Sequence, residues 1–531
     1  MFNLLTKAAP KKRLLFYKLG EFLNNGDSPP IALISGARMT GKTTLLAQIT
    51  EKYYKAKSVL YLNFRDETAY SSRQDWASSE TAEQILIDFL LSPSHTLLLL
   101  DEITSLDDYE HLCERVHDMS GGNITGVGYK ALITGSSPFQ IKALHSGSLG
   151  GGRSTLLQLP VLKFIEYMHL TTDRITYADY INVTAQDFAG YLSLDNLPYS
   201  MLRTFDEQYF INYYEENSLS GKNTRIRGGV SDITSDDMIA LAHVLAYQLA
   251  GRINYNKLFE SNTGKKELAP FGGWRKFPLE KALVEASRNR VANFPRELRS
   301  SAVARILRFL LKSHIINAET ELTTERDEPM DVFDIAKLLG SGAAYGDMMR
   351  LFDKVSFAMN SPLLYTRLSD DILRQAGFSW KEFTQLPANQ KNVLYGDLLE
   401  VYVRGGISEL RFLGLPFTSA KLNMEPVAAI DVVDFRKGLL CEITISNKDT
   451  QKVHVGTRYA NNSLIRVCST KDIGDTKGCY YQIPYPLLCC MVDTGDILKL
   501  KKTTVEDADI SFDDIRGIVN KTAGGLLCGM K

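Results

Sequence analysis

The chain has 531 residues, which is too many for one hydrophobic core and implies two to four domains. Hydrophobic residues make up 44% and charged residues 23%, an ordinary globular composition, and the net charge of −1 means that any nucleic-acid partner must be held by local patches. The seven cysteines form no CxxC pair, which argues against a zinc ribbon or a disulfide framework and fits free thiols in a reducing cytoplasm.

The N-terminal stretch "MFNLLTKAAPKKRLLFYKLGEFL" lacks the apolar core of a signal peptide. Leu14, Leu15, Tyr17, Leu19 and Phe22 instead predict an amphipathic helix with a basic face. "IALIS" follows, an apolar run suited to a central parallel strand. It leads into Gly36-Ala37-Arg38-Met39-Thr40-Gly41-Lys42-Thr43, a GxxxxGK[ST] loop, and then into "TTLLAQITEKYY", which has helical spacing. In this strand–loop–helix context the glycines let backbone N–H groups wrap a phosphate at the positive end of a helix. Lys42 would neutralise the β- and γ-phosphates, Thr43 would offer its hydroxyl to Mg²⁺, and Thr44 continues the helix N-terminus beside them. The expected ligands are therefore ATP and Mg²⁺.

"SVLYLNF" is the next strand, and "ILIDFLLSPSHTLLLLDEI" reads as a helix, a turn and a buried strand, not a membrane span. Asp101 and Glu102 stand at the C-terminal end of the four leucines, where open parallel sheets place their ligands. Asp101 would hold Mg²⁺, and Glu102 would polarise an attacking water, which points to hydrolysis; a helix-capping carboxylate pair is the alternative. Asp107 and Asp108 read as solvated loop residues. The strand "YKALITGSSP" brings Ser136 to the place of a γ-phosphate sensor. Arg153 follows three glycines and would stabilise transition-state charge in cis or across a subunit boundary; it also reads as a surface arginine beside a flexible loop. The element order is that of the P-loop ATPases with an additional strand.

"GARMTGKTTLL", "LLLLDEI", "LITGSSP" and "GGRSTLLQLPVLKFIEYM" together resemble the prokaryotic archaeal-type AAA ATPase family. Arg38 matches the loop arginine of its GPRxxGKTTL pattern, Arg153 its GR arginine, and Pro160, Phe164 and Glu166 its "PLSFxE"-like segment. Ala37 replaces the usual proline, and Val161-Leu162-Lys163 departs from "LS". The resemblance implies a winged-helix segment next and then a C-terminal domain related to restriction-endonuclease folds. "SSAVARILRFLLKSHIINAETEL" suits the first, and "DKVSFAMNSPLLYTRL" resembles the strand and turn that come after it. The expected organisation is a P-loop ATPase domain over 1–170, a helical insertion over 171–235, a helical and winged-helix region over 236–384, and a restriction-endonuclease-like α/β domain over 385–531.

In that last part Glu400 falls on a helix, Asp431 on the strand "AAIDVVDF" and Glu442 on the return strand "LLCEITIS" after an "RKG" turn. By position these match the acids of a PD-(D/E)xK nuclease, which converge on Mg²⁺. The lysine does not match, because position 444 is threonine. Lys448 shares its strand face but starts about 13–14 Å beyond position 444, at roughly 3.3 Å per residue, and can serve only if the strand bends near "SNKD". Lys437 has the wrong parity. Three readings stay open: a working nuclease, a nuclease fold kept for binding, and a half-buried hairpin with ordinary surface acids. Lys448, Lys452, Arg458, Arg466, Lys471 and Lys477 could contact DNA or RNA phosphates or simply form a solvated face. The function expected is an ATP-hydrolysing AAA-type protein that couples nucleotide state to a nuclease-like domain; the alternative is an ATP-driven switch or scaffold whose C-terminal domain only binds a protein partner. Either form could be a homo-oligomer, and no membrane association is expected.

Overall fold

A computed structural model describes residues 11–37, 39–53, 59–64, 84–88, 96–106, 108–120, 129–172, 182–193, 307–308, 310–322, 330, 332–339, 354–363, 366, 388–412, 419–424, 428–434, 439–443, 463–468, 475–476, 480–495 and 497. Five parallel strands organise the N-terminal part: β1 (Ile31–Ser35), β2 (Val59–Asn63), β3 (Leu97–Asp101), β4 (Lys130–Gly135) and β5 (Ser154–Gln158), in the order β2-β3-β4-β1-β5. β4 thus lies between the loop-bearing strand and the strand that ends in Asp101, which is the additional-strand arrangement expected from the sequence.

Both faces of this sheet are covered, so its central strands are apolar throughout instead of alternating. On one face Ile31, Leu33, Leu98, Leu100, Ala131 and Ile133 pack on α3 (Tyr109–Ser120) and α4 (Pro138–Ser146). On the other, Ala32, Ile34, Leu97, Leu99 and Leu132 pack on α1 (Leu14–Asn24) and α2 (Lys42–Tyr53). α1 buries Leu15, Phe16, Leu19 and Phe22. Each large side chain so buried stabilises by about 1.5–3 kcal/mol. Phe16 is buried and packs near the Tyr53 ring, whereas Leu14 and Tyr17 are only half-buried. No helix among the described residues is long and apolar enough to cross a membrane.

After β5 come α5 (Phe164–Thr172) and α6 (Ala185–Ser193). Apart from 171–172 and 182–193, residues 171–235 lie outside the described residues, as do all of 236–306. The later elements are β6 (Ile316–Leu322), α7 (Val332–Leu338), β7 (Val355–Met359), α8 (Ala388–Phe412), β8 (Ser419–Met424), β9 (Ala428–Asp434), β10 (Leu439–Ile443), β11 (Ser463–Cys468), β12 (Asp475–Thr476), β13 (Tyr480–Pro484) and α9 (Tyr485–Thr494). Their strands form one sheet of order β12-β13-β11-β10-β9-β8-β6-β7. β6, which the sequence reading assigned to the winged-helix stretch, pairs with β8 of the C-terminal stretch in this sheet. β8, β9 and β10 are antiparallel neighbours, and β11 then joins β10 in parallel.

Candidate nucleotide site

The register of the parallel sheet gathers the C-terminal ends of its strands: Ser35 stands beside Gly135 and Gln158, and Asn63 beside Asp101. The loop from Gly36 to Gly41 leaves β1 here and enters α2 at Lys42. Two of its glycines are sterically required. A Cβ at Gly36 would lie 2.5 Å from the Leu159 carbonyl oxygen, and Gly41 has φ 98°. Met39 is exposed and takes φ 62°, uncommon for a side-chain-bearing residue, so the loop stores some backbone strain.

The Lys42 ammonium is buried inside the loop. It donates to the carbonyl oxygens of Gly36 and Ala37 at 3.0 Å each and to Ser136 Oγ at 3.1 Å, and it lies 3.6 Å from Glu102 Oε1. Ser136 in turn donates to Glu102 Oε1 at 2.6 Å. The Thr40 hydroxyl donates to the Ala37 carbonyl at 2.9 Å and tightens the turn. Thr43 Oγ1 donates to Asp101 Oδ2 at 2.7 Å. Thr44 lies in the first turn of α2, and Arg38 lies outside the described residues.

Asp101 is fully buried and accepts from three hydroxyls: Thr43, Tyr61 at 3.0 Å and Thr134 at 2.5 Å. Burial and the neighbouring Glu102 push its carboxyl above the usual range, against the opposing pull of Thr134, Thr43 and Lys42. Glu102 adopts the left-handed conformation at φ 57°, and its N–H donates to Thr134 Oγ1 at 3.1 Å. This turn aims consecutive carboxylates differently, one at Thr43 and the other at Lys42 and Ser136. Asp108 is exposed, and Asp107 lies outside the described residues.

These residues fit a magnesium nucleotide. The Gly36 cradle leaves no room for a side chain, a buried ammonium lines the loop at a helix N-terminus, and a hydroxyl–carboxylate pair stands beside it, a donor set suited to Mg²⁺.

The sequence reading placed Thr134 only within the sensor stretch beside Ser136, and it missed Tyr61 and Arg13. Thr134 sits in the same "TGSS" string as Ser136, two residues earlier and so on the same face of the strand end. Tyr61 is legible only from the β2–β3 register. Arg13 donates from Nε to Glu166 Oε1 at 3.0 Å, from Nη1 to the Thr40 carbonyl at 3.0 Å and from Nη2 to the Pro160 carbonyl at 2.9 Å, and Nη2 also pairs with Glu166 Oε2. Burial would raise the Glu166 carboxyl, but the Arg13 guanidinium, its hydrogen bond and Lys163 outweigh that and hold it below the usual range. Only a basic residue just ahead of an apolar helical run hints at Arg13 in the sequence. Arg153 is exposed, follows Gly151 and Gly152 at positive φ, and donates to the Ser148 carbonyl at 3.3 Å.

The acids of the C-terminal stretch do not form a comparable described site. Glu400 pairs at 3.0 Å with Arg404, a buried arginine that also meets Glu319 of β6 at 3.0 Å. The β9–β10 register ends at the pair Cys441–Val432, next to positions 442 and 431. Glu442 is in register with Arg466 of β11. The side chains of Asp431 and Glu442 lie outside what is described, as does all of Lys448. No group of three or more metal-ligating His, Cys, Asp or Glu side chains occurs among the described residues.

Residues 28–168 match the protein family described as AAA domain. This stretch is an AAA-type, ATP-binding P-loop domain of α/β fold. No curated protein matches the chain. Among solved structures, the Aeropyrum pernix ORC2 protein in ADPNP–ADP complexes is 14% identical, with 69% of this chain and 96% of that chain covered and a TM-score of 0.28. The Aeropyrum pernix ORC1 protein in complex with DNA is 13% identical, with 68% and 92% covered and the same TM-score of 0.28.

Proposed function

We propose that the protein is a Mg²⁺-dependent ATPase whose nucleotide state acts on its C-terminal unit. The observation that carries this reading is the convergence of Lys42, Ser136 and Glu102 beside the Thr43–Asp101 pair at one end of the parallel sheet. Thr43 and Asp101 would hold Mg²⁺, which when bound neutralises phosphate charge. Lys42, the loop amides and Thr44 at the α2 N-terminus would bind the phosphates. Glu102 would orient and deprotonate the attacking water, and Ser136, which holds that carboxylate now, would exchange it for the terminal phosphate. Arg153 precedes β5, whose first residue Ser154 pairs with Ile31 at the start of β1, so it lies at the end of the sheet away from the phosphate loop, which favours the trans role.

For the C-terminal unit we retain a nuclease-like reading in which Asp431 and Glu442 form an acidic pair and the domain recognises or cleaves DNA or RNA. The antiparallel pairing of β9 with β10, which runs to Cys441–Val432, supports it, and the β10–β11 register sets position 466, an arginine, level with position 442. The capture of Glu400 by Arg404 favours the second reading, a domain used for partner binding without cleavage. Purified full-length protein should hydrolyse ATP with Mg²⁺, and Glu102→Gln should bind ATP but turn it over slowly. Wild-type turnover that Glu102→Gln leaves unchanged would refute the catalytic assignment. Nucleic-acid cleavage abolished by both Asp431→Ala and Glu442→Ala supports the nuclease; no cleavage with Mg²⁺ or Mn²⁺ supports the binding module.

A further inference from the structure

The first turn of a helix carries N–H groups with no intrahelical partner, which a Ser, Thr, Asp or Asn just ahead of the helix normally satisfies. α5 begins at Phe164 after Val161-Leu162-Lys163, with no such residue. Its donors are capped from far along the chain. The Phe164 N–H donates to the Tyr402 hydroxyl oxygen at 2.9 Å, 238 residues away, and the Ile165 N–H donates to Asp493 Oδ2 at 3.0 Å, 328 residues away. The Tyr402 hydroxyl donates to the same carboxylate, 2.6 and 2.7 Å from its two oxygens. Lys163 pairs with Glu409 at 2.7 Å. Tyr402 and Glu409 belong to α8 and Asp493 to α9, so residues 163–165 are fastened to both C-terminal helices.

The same segment is fastened to the phosphate loop on its other side. Leu159 N–H donates to the Ser35 carbonyl at 2.8 Å, and the Leu159 carbonyl lies where a side chain at Gly36 would stand. Arg13 holds the Pro160 carbonyl, Glu166 and, within the loop itself, the Thr40 carbonyl. Phosphate in the loop would compete for the Lys42 ammonium that the Gly36 and Ala37 carbonyls now hold, so those carbonyls and the neighbouring Thr40 peptide must adjust.

We propose that residues 159–166 are the coupling element between nucleotide and C-terminal unit, with Arg13 the positioning residue on the loop side and Tyr402, Glu409 and Asp493 the positioning residues on the other. This rests on the phosphate-loop reading above and adds the route by which occupancy is transmitted. Coupling is reciprocal: if nucleotide alters the packing of α8 and α9, then loosening their hold on α5 must alter nucleotide affinity.

The test is hydrogen–deuterium exchange of the full chain with and without Mg²⁺ and a non-hydrolysable ATP analogue, together with the analogue's Kd. In wild type the analogue should protect residues 36–46 and also change exchange in 388–412 and 485–494. Tyr402→Phe keeps the ring and removes only the hydroxyl. It should leave loop protection in place at saturation, abolish the response of the two C-terminal helices, and shift Kd by about five-fold or more, the usual floor of site-to-site coupling. Glu409→Gln is the second variant should Tyr402→Phe unfold, and it should act in the same direction. Loop protection with unchanged C-terminal helices in wild type, or variants that respond as wild type, would overturn the proposal. Absence of loop protection would instead overturn the phosphate-loop reading and the proposal with it.

Discussion

Removing Arg13 should cost far more than a surface charge, and removing its partner as well should recover most of the loss. The Arg13 and Glu166 side chains are 12% and 5% exposed, so deleting the guanidinium strands a carboxylate in a desolvated site. Breaking a buried pair from one side costs about 3–5 kcal/mol, whereas replacing both partners by apolar groups is often near neutral. Arg13→Met also leaves the Thr40 and Pro160 carbonyls without their donor, at roughly 0.5–1.5 kcal/mol each. Arg13→Met should therefore lose about 4–8 kcal/mol, Glu166→Met about 3–5, and the double variant only about 1–3, a coupling of several kcal/mol. The opening free energy of the β1 and α2 amides, measured by hydrogen exchange, reports this locally. Because the Glu166 carboxyl is held below its ordinary 4.5, the coupling should be full above that pH and fade as pH falls further. A double variant that loses the sum of the single losses would refute the argument.

Gly36→Ala should reduce nucleotide affinity and stability together, since its methyl would sit 2.5 Å from the Leu159 carbonyl; calorimetry giving wild-type affinity would contradict the cradle geometry. Asp493 behaves oppositely to Glu166: burial pushes its carboxyl up to about 7, against Lys163 and the Tyr402 hydrogen bond and with Glu409 adding to the rise. Its contribution should decline as pH rises from its ordinary 3.8 to about 7, so melting curves across that range should flatten in Asp493→Asn. Mixing Arg153→Ala with Glu102→Gln subunits should restore some hydrolysis if the arginine acts in trans; no rescue at any ratio, with both variants folded and assembling, would leave it a cis or structural role.

The nucleotide half of this protein was legible because its chemistry is written locally. Gly36 to Thr44 lie on one loop and helix start, Asp101-Glu102 end a run of leucines, and Ser136 ends the next strand. The apolar strands were equally plain, since a doubly covered parallel sheet needs no alternation. What the sequence hid was long-range: Tyr61 reaches Asp101 only through strand register, and Arg13 meets Glu166 across 153 positions. The distal capping of α5 could be suspected only from a missing capping residue before Phe164, because nothing local names Tyr402 or Asp493. In the C-terminal half the hairpin was legible from the "RKG" turn between its strands, while the alignment of positions 442 and 466 depends on a parallel strand 24 residues on, beyond any local pattern.

The proposed ATPase depends on a phosphate-binding loop that would hold ATP through Lys42. Isothermal titration of Mg²⁺·ATP into wild type and Lys42→Ala tests it most directly. Lys42 is the buried cation that the Gly36 and Ala37 carbonyls and Ser136 hold in the loop, so the account predicts saturable binding in wild type and its loss in the variant. Equal affinity in the two proteins would contradict it.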